Sequence, residues 1–244
     1  MKQTVNTMSS DEFYARKKER ERLEVLQFLE EEKAEKRQTL RNKSLLGKRY
    51  HNVNFTNTRI TNNQFKIAFD KCKNYCFDFK KNYGLGLGMY LHGEVGTGKT
   101  HLMACIVNDL IDKDQDCLVT SFIEINKEIK ATFNGQGTQS EVIDKYAKVD
   151  YLFIDDFGTE IVQKNSTDTF MQEIIYDIIN LRYNNLVPTI YTSNNSMNSL
   201  INDKGMYKKT IDRVFETSIY IIELMGKSER VKKYEVRDEA RKNS

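Results

Sequence analysis

The segment Gly93-Glu-Val-Gly-Thr-Gly-Lys99-Thr100 constrains the fold of this chain more than any other part of its sequence. It matches the Walker A pattern, with an apolar segment before it and a helical pattern after it. Glycines in this loop let backbone N–H groups turn inward around phosphate oxygens. The lysine places an ammonium group at the β- and γ-phosphates, and the threonine hydroxyl is a ligand for Mg²⁺. We therefore expect the chain to bind ATP with Mg²⁺.

The residues expected to surround the nucleotide are Gly93, Glu94, Val95, Gly96, Thr97, Gly98, Lys99, Thr100 and His101. The main alternative for such a segment is a glycine turn without a ligand. The loop alone does not separate ATPases from GTPases or nucleotide kinases.

A pair of acids lies about fifty residues further on. The apolar run 151–154 ends in Asp155 and Asp156, the Walker B arrangement. Asp155 is expected to hold Mg²⁺ together with Thr100. A second carboxylate is expected to act as general base on the attacking water, with Asp156 as the first candidate and Glu160 as the second. An acidic turn or a helix cap is the alternative reading of the pair.

Three further polar residues favour an ATPase. Asn194 follows the strand expected at 189–192, where its amide is placed to orient a water molecule beside the γ-phosphate. Arg213 precedes the last strand, where it would reach the nucleotide of a neighbouring subunit, and Arg230 follows that strand, near the phosphates of its own chain. Arginines that stabilise the phosphoryl charge raise hydrolysis rates by several orders of magnitude. Taken singly, each arginine is also compatible with an ordinary surface position.

Strand and helix patterns alternate from Met89 to the end of the chain. The strands are predicted at 89–92, 117–122, 151–154, 189–192 and 219–224, with helices at 99–112, 140–148, 169–183 and 208–216 between them. Such alternation predicts a parallel sheet covered by helices on both faces. The expected fold is therefore a three-layer α/β P-loop domain with a central five-stranded parallel sheet.

Three segments are distinguished along the chain. Residues 1–45 form a charged N-terminal helical segment, 46–83 form a connector and a helix, and 84–244 form the ATPase domain. The N-terminal helix has one short apolar stripe, formed by Leu23, Leu26 and the Phe28-Leu29 pair. It fits either a docking helix for a partner or a solvated arm.

Composition excludes several classes of protein. No segment approaches the about 18 apolar residues of a membrane span, and the N-terminus lacks the apolar core of a secretory signal. The four cysteines fit free thiols in a reducing compartment. We therefore expect a cytoplasmic protein without membrane contact. The net charge of +3 permits nucleic-acid binding but does not argue for it.

The motifs together resemble a known family. They are Gly-x-x-Gly-Thr-Gly-Lys-Thr-His-Leu (93–102), Leu-Phe-Ile-Asp-Asp-Phe-Gly-Thr-Glu (152–160), Asn-Leu-Arg-Tyr-Asn-Asn (180–185), Pro-Thr-Ile-Tyr-Thr-Ser-Asn (188–194) and Asp-Arg-Val-Phe-Glu (212–216). This set is similar to the DnaC/DnaI helicase loaders and to the related IstB transposition ATPases, all of the AAA+ class. The resemblance covers roughly residues 50 to 230.

This resemblance implies an ATPase that binds a hexameric replicative helicase through its N-terminal segment and helps to place it on single-stranded DNA. It implies Asn194 as sensor 1, Arg213 as an arginine finger that requires self-association, and Arg230 in the sensor 2 stretch. It also implies a central P-loop strand and a reduced or absent C-terminal lid. Size resembles DnaC-type or phage-encoded loaders, and Asp156 stands where many AAA+ proteins have Glu.

Other functions remain open at this point. An IstB-like helper would act with a transposase on duplex DNA. A binding module would use ATP only to adopt its shape and would cap or inhibit a helicase. A small-molecule kinase would need a lid that binds the phosphate acceptor. For single-stranded DNA, the candidate contacts are Lys127, Lys130 and Phe133 on the segment after the second strand. The alternative is a solvated helix with Phe133 in the core.

Overall fold

The computed structural model describes residues 10–158, 169–201 and 207–226. The helices are α1 Ser10–Lys43, α2 Asn63–Phe77, α3 Phe79–Gly84, α4 Lys99–Asp112, α5 Phe122–Thr132, α6 Gln139–Lys148, α7 Thr169–Asn184, α8 Met197–Ile201 and α9 Tyr207–Thr217. The strands are β1 Gly88–Gly93, β2 Cys117–Ser121, β3 Tyr151–Asp155, β4 Thr189–Ser193 and β5 Ser218–Leu224. A single 3-10 turn, Lys48–Tyr50, lies in the connector.

The five strands form one parallel sheet in the order β2-β3-β4-β1-β5. This confirms the predicted fold class, and each predicted strand is present to within two residues. The expectation that the P-loop strand is central was wrong in one respect. Strand β1 lies inside the sheet, between β4 and β5, but the middle strand is β4. From β1 the chain crosses to β2 at the far edge of the sheet, and β3 and β4 then lie between β2 and β1. Strand β4 is therefore beside both β3 and β1.

The sheet is buried on both faces because alternate residues of each strand point to opposite sides. Met89 and Leu91 pack with α2 and α4 in one core, whereas Tyr90 packs with α7 and α9 in the other. Strands buried on both faces are the expected state of a parallel sheet with helical crossovers. The two cores fix the carboxyl ends of β1, β3 and β4, which carry the polar residues of the site.

The second strand ends one residue earlier than predicted, for a local reason. The strand expected to run through Phe122 ends at Ser121, because the Ser121 hydroxyl accepts a hydrogen bond from the Glu124 backbone N–H at 3.3 Å and caps α5. Phe122 is instead the first residue of that helix, and its ring lies in the core on the α7 side of the sheet.

The four cysteines are free and buried. Cys72 and Cys76 lie on the buried face of α2 with Phe65. Burial raises the pKa of both thiols well above the ordinary value. They therefore act as small apolar side chains and not as reactive groups.

The chain divides into two compact units, residues 1–39 and residues 40–244. In the first unit the described residues belong to α1, whose apolar side chains Leu23, Val25, Leu26, Phe28 and Leu29 are all exposed. In the second unit Ser44 and Leu46 are already buried, and the Ser44 carbonyl accepts a hydrogen bond from the Val119 N–H of β2 at 2.7 Å. Among the described helices, none is long and apolar enough to cross a membrane.

Candidate nucleotide site

The glycine loop between β1 and α4 has the backbone shape that a phosphate requires. Gly96 has φ +84° and Gly98 has φ +102°, a region that favours glycine. A Cβ atom on Gly98 would lie 2.7 Å from Cε2 of Phe65, so this position is closed to side chains by packing as well as by backbone angle. The loop leads directly into α4 at Lys99, whose helix N-terminus adds a partial positive charge. The loop therefore fits a nucleotide phosphate.

Lys99 is held at the base of the loop. Its Nζ atom donates to the carbonyls of Gly93 and Glu94, both at 2.8 Å, and the residue is 5% exposed. The Thr97 hydroxyl donates to the same Glu94 carbonyl at 2.8 Å. These contacts place the ammonium group inside the loop, where it would meet the phosphates of a bound nucleotide.

Thr100 and Asp155 form the part of the site that fits Mg²⁺. The Thr100 hydroxyl donates to Oδ1 of Asp155 at 3.1 Å, which joins the first turn of α4 to the end of β3. The Thr192 hydroxyl donates to the same carboxylate from β4. Within the described ranges no cluster of three His, Cys, Asp or Glu side chains is arranged to bind a metal. A hydroxyl and one carboxylate suffice, because Mg²⁺ at such sites keeps waters and phosphate oxygens as its other ligands.

Asp156 lies beside Asp155 but points to a different group. Its φ of +56° is unusual for a residue with a side chain, and its N–H donates to the Thr192 hydroxyl at 3.0 Å. Its Oδ1 accepts a hydrogen bond from Nδ2 of Asn194 at 3.3 Å. The structure therefore brings the predicted base and the predicted water-orienting amide together at the ends of β3 and β4.

Asp156, Asn194 and the glycine loop line one cavity of about 590 Å³. Four connector residues that the sequence did not indicate line its other side; they are Arg49, Tyr50, Arg59 and Thr61. Arg49 lies over the Tyr50 ring, with Cζ 4.5 Å from the ring centroid. The connector is polar and has little periodicity, so its sequence did not indicate that it lines the cavity. Phe65, near the start of α2, also lines the cavity. The cavity is large enough for a bound nucleotide.

His101, predicted at the site, connects the cavity to the connector. Its Nε2 atom is 2.9 Å from the Thr58 hydroxyl, which in turn donates to the Asn54 carbonyl at 2.7 Å. Further along α4, the Asn108 side chain donates to the Tyr50 and Val53 carbonyls at 2.8 and 2.7 Å. The connector is therefore bound to the helix that starts at the glycine loop.

His92 is the penultimate residue of β1, directly before the glycine loop, and is 8% exposed. Burial lowers its pKa from the ordinary value of 6.5, the nearby Lys99 ammonium lowers it further, and Glu223 acts in the opposite direction. The imidazole is therefore neutral at pH 7, which keeps a second positive charge away from Lys99.

The remaining predicted residues lie away from this cavity or outside the described residues. Arg213 is half-buried on α9 and is not among the described residues that line the cavity. Glu160 and Arg230 lie outside the described residues, so their roles stay predictions.

The candidate DNA-contacting residues lie on and next to α5. Lys127 forms an ion pair with Glu124 at 2.6 Å, and Lys130 is exposed. Phe133 is 62% exposed, and its ring centroid is 6.0 Å from that of Phe170. The alternative that placed Phe133 in the core was wrong, because this residue is the C-cap of α5 and its side chain is exposed.

Several proteins to which this chain is similar are named as helicase loaders. Replicative helicase loader DnaC of Buchnera aphidicola (subsp. Baizongia pistaciae) is 31% identical over 155 residues, which is 63% of this chain and 62% of the relative. The Escherichia coli DnaC is 27% identical over 216 residues, covering 88% of this chain and 84% of the relative. A crystal structure of the DnaC helicase loader superposes with a TM-score of 0.57 at 22% identity, covering 72% of this chain and 99% of that one.

A family model described as IstB-like ATP binding protein matches residues 79–236. This range contains the glycine loop, Asp155, Asp156, Asn194 and Arg213. The match spans more than half of the chain and includes every strand of the sheet. The chain therefore belongs to the family of IstB-like ATP-binding proteins.

Proposed function

We propose that this protein is an ATP-hydrolysing loader that binds a hexameric replicative helicase and helps to place it on single-stranded DNA. The observation that carries the proposal is the cavity in which the glycine loop, the Thr100–Asp155 contact and the Asp156–Asn194 contact meet. The DnaC relatives, which are named as replicative helicase loaders, supply the partner class.

The proposed chemistry assigns one role to each residue of the cavity. Lys99 and the loop N–H groups bind the phosphates, and Thr100 with Asp155 holds Mg²⁺, which neutralises charge on the β- and γ-phosphates when bound. Asp156 accepts a proton from the attacking water, while Asn194 holds that carboxylate and the water in line. Glu160 is the second candidate for the base. Arg230 is proposed to contact the phosphates of its own chain.

We assign Arg213 to the nucleotide of a second copy of the chain, because it does not line the cavity of its own chain. This assignment implies self-association through the ATP site. It is tested by mixing two inactive variants, Lys99→Ala and Arg213→Ala. Turnover in the mixture is expected, because the intact arginine of the first variant serves the intact site of the second. If Arg213→Ala alone hydrolyses ATP at the wild-type rate, the assignment is wrong.

The exposed apolar residues of α1 are proposed to bind the helicase. An apolar stripe on an otherwise charged helix matches the helix-in-groove mode of recognition. The test is a pull-down from host lysate with ATP and Mg²⁺, read by mass spectrometry, using full-length protein with Leu23, Leu26 and Leu29 changed to Ser. Loss of a co-purifying replicative helicase is expected.

A matched control for this experiment is Ile67→Ser on α2, a leucine-sized side chain that is 51% exposed on the second unit. It removes apolar surface without touching α1. A truncation should end at residue 39 and not at 45, since Ser44 and Leu46 are buried in the second unit. Recovery of a transposase without helicase would contradict the loader proposal and favour the IstB-like alternative.

We propose that Lys130 and Phe133 contact single-stranded DNA, with Phe170 extending the exposed aromatic surface. Stacking on an aromatic ring contributes about 1–3 kcal/mol per base. Phe133→Ala should therefore weaken binding of a single-stranded oligonucleotide about tenfold in fluorescence anisotropy at fixed salt. Phe77→Ala, at an 85% exposed position on α2, is the control and should change nothing. Preference of the wild type for duplex DNA would contradict this assignment.

A further inference from the structure

Arg213 is held by polar contacts that leave part of its guanidinium available. Its Nε atom donates to Oδ1 of Asn180 at 2.8 Å, and Nη1 donates to the Lys209 carbonyl at 3.2 Å. Nη2 makes no hydrogen bond to any residue in the described part of the chain. The guanidinium is therefore fixed along one edge while its other edge can bind an anion.

Two tyrosine rings complete the surroundings of this guanidinium. Its Cζ atom is 4.9 Å from the ring centroid of Tyr176 and 5.3 Å from that of Tyr183. Together with Asn180, these tyrosines stand at positions i, i+4 and i+7 of α7, which is one face of a helix. We call Tyr176, Asn180 and Tyr183 the α7 cage.

The α7 cage is neutral. No carboxylate of the described residues lies within ion-pair distance of Arg213, in contrast to Arg41, which pairs with Asp112 at 3.2 Å. Glu216 lies one turn after Arg213, and its interaction with the Tyr183 phenol is the main cause of the raised pKa of that phenol. An amide, a carbonyl and two ring faces thus orient the arginine without neutralising its charge.

We infer that Tyr176, Asn180 and Tyr183 are positioning residues that hold Arg213 ready for the γ-phosphate of a second copy of this chain. The inference rests on the proposed role of Arg213 as the arginine that acts between subunits. A long side chain held in one geometry before the subunits meet loses less conformational freedom at that moment, and a small misplacement of such a group lowers the rate strongly. Arg213 needs its full positive charge, because its guanidinium is proposed to stabilise the negative charge that develops on the transferred phosphoryl group.

The experiment isolates the arginine from the nucleotide site of the same chain. A Lys99→Ala chain supplies only its Arg213, and an Arg213→Ala chain supplies only its nucleotide site. Asn180→Ala, Asn180→Asp, Tyr176→Leu or Tyr176→Phe is then added to the Lys99→Ala chain alone. Any change in turnover of the mixture therefore comes from the position or charge of Arg213, because the chain that binds ATP is unchanged.

We expect Asn180→Ala and Tyr176→Leu to lower kcat of the mixture about tenfold with KM for ATP unchanged. Tyr176→Phe keeps the ring and should retain the rate. Asn180→Asp keeps the acceptor but adds a negative charge, and it should lower kcat at least as much as Asn180→Ala. Leu181→Ala, an exposed neighbour on α7, is the control and should leave kcat as it was.

The two proposals fail in different ways. If the mixture without cage substitutions shows no turnover, the role of Arg213 between subunits is wrong, and the cage inference falls with it. If that mixture is active and both Asn180→Ala and Tyr176→Leu leave kcat within twofold, only the cage inference is overturned. Circular dichroism checks folding, and should Tyr176→Leu not fold, Asn180→Ala with Asn180→Asp decides the question.

Discussion

The Asn194 amide donates a hydrogen bond to the Asp156 carboxylate, with 3.3 Å between Nδ2 and Oδ1. Asp156 belongs to the turn after β3, and Asn194 follows β4, the neighbouring strand. The contact assigns distinct tasks to two consecutive acids, because Asp155 is instead bound by the hydroxyls of Thr100 and Thr192. The two carboxylates are thus separable by mutation.

Asp156→Asn should abolish most hydrolysis while leaving ATP binding intact. The amide keeps the size of the side chain but cannot accept a proton, and loss of a general base lowers turnover by about 10²–10⁴. Phosphate release measures kcat, and a fluorescent ATP analogue measures affinity. Asp155→Asn is the comparison, since it should instead raise the Mg²⁺ concentration required. Wild-type turnover in Asp156→Asn would transfer the role of the base to Glu160.

Gly98→Ala should weaken nucleotide binding more than tenfold. The substitution combines a positive φ, which costs about 1–3 kcal/mol for a residue with a side chain, with a Cβ atom 2.7 Å from the Phe65 ring. Isothermal titration with ATP and Mg²⁺ measures the loss.

Gly135→Ala is the matched control for this substitution. It also has a positive φ, +81°, but a Cβ atom there would meet nothing within 4 Å. It should lower the unfolding temperature slightly and leave ATP affinity unchanged. Equal effects of the two substitutions on affinity would show that the contact with Phe65 has no part in shaping the loop.

Arg182→Met should destabilise the protein by about 3 kcal/mol or more. Arg182 is 1% exposed, and burial lowers its pKa to about 10, so it stays charged at pH 7. Its guanidinium donates to five backbone carbonyls and to the Thr189 hydroxyl; the carbonyls are those of Tyr146, Ala147, Val149, Asp150 and Pro188. Methionine fills the space but leaves these acceptors unpaired. Urea unfolding followed by circular dichroism measures the difference.

An exposed arginine changed in the same way provides the reference for Arg182. Arg59→Met on the connector should change the free energy of unfolding by less than about 0.5 kcal/mol. Similar losses at the two positions would contradict a structural role for Arg182 as the group that joins α6, β3 and β4.

The free energy of unfolding should decrease as the pH falls from 7 to 5, because His92 becomes protonated in the unfolded chain over this range. Its folded pKa is lower than the ordinary value of 6.5, so the unfolded chain binds the proton more readily. The stability that the neutral His92 imidazole contributes to the folded state is fully present above pH 6.5. It is lost as the pH falls below that value toward the folded pKa. His92→Asn should flatten this dependence, whatever it does to absolute stability. Parallel curves for the two proteins in urea unfolding at several pH values would exclude the effect.

The sequence by itself determined the fold class and the elements of the phosphate site. The Walker A spacing, the apolar run before Asp155 and the alternation of strands and helices are local patterns. Local backbone preference and side-chain periodicity are readable from neighbouring residues. For that reason Lys99, Thr100 and Asp155 are where the motifs placed them, and α4 has the predicted bounds.

Only the tertiary structure decided which distant residues meet. Whether Asp156 faces Asn194, whether Arg182 is buried and whether Arg213 lies against Tyr176 and Asn180 depend on the strand order and on helix packing. The connector lines the cavity because its carbonyls are bound by Asn108 on α4, a contact between residues more than fifty positions apart. Such contacts follow from the whole packing of the chain, since no short segment contains both partners.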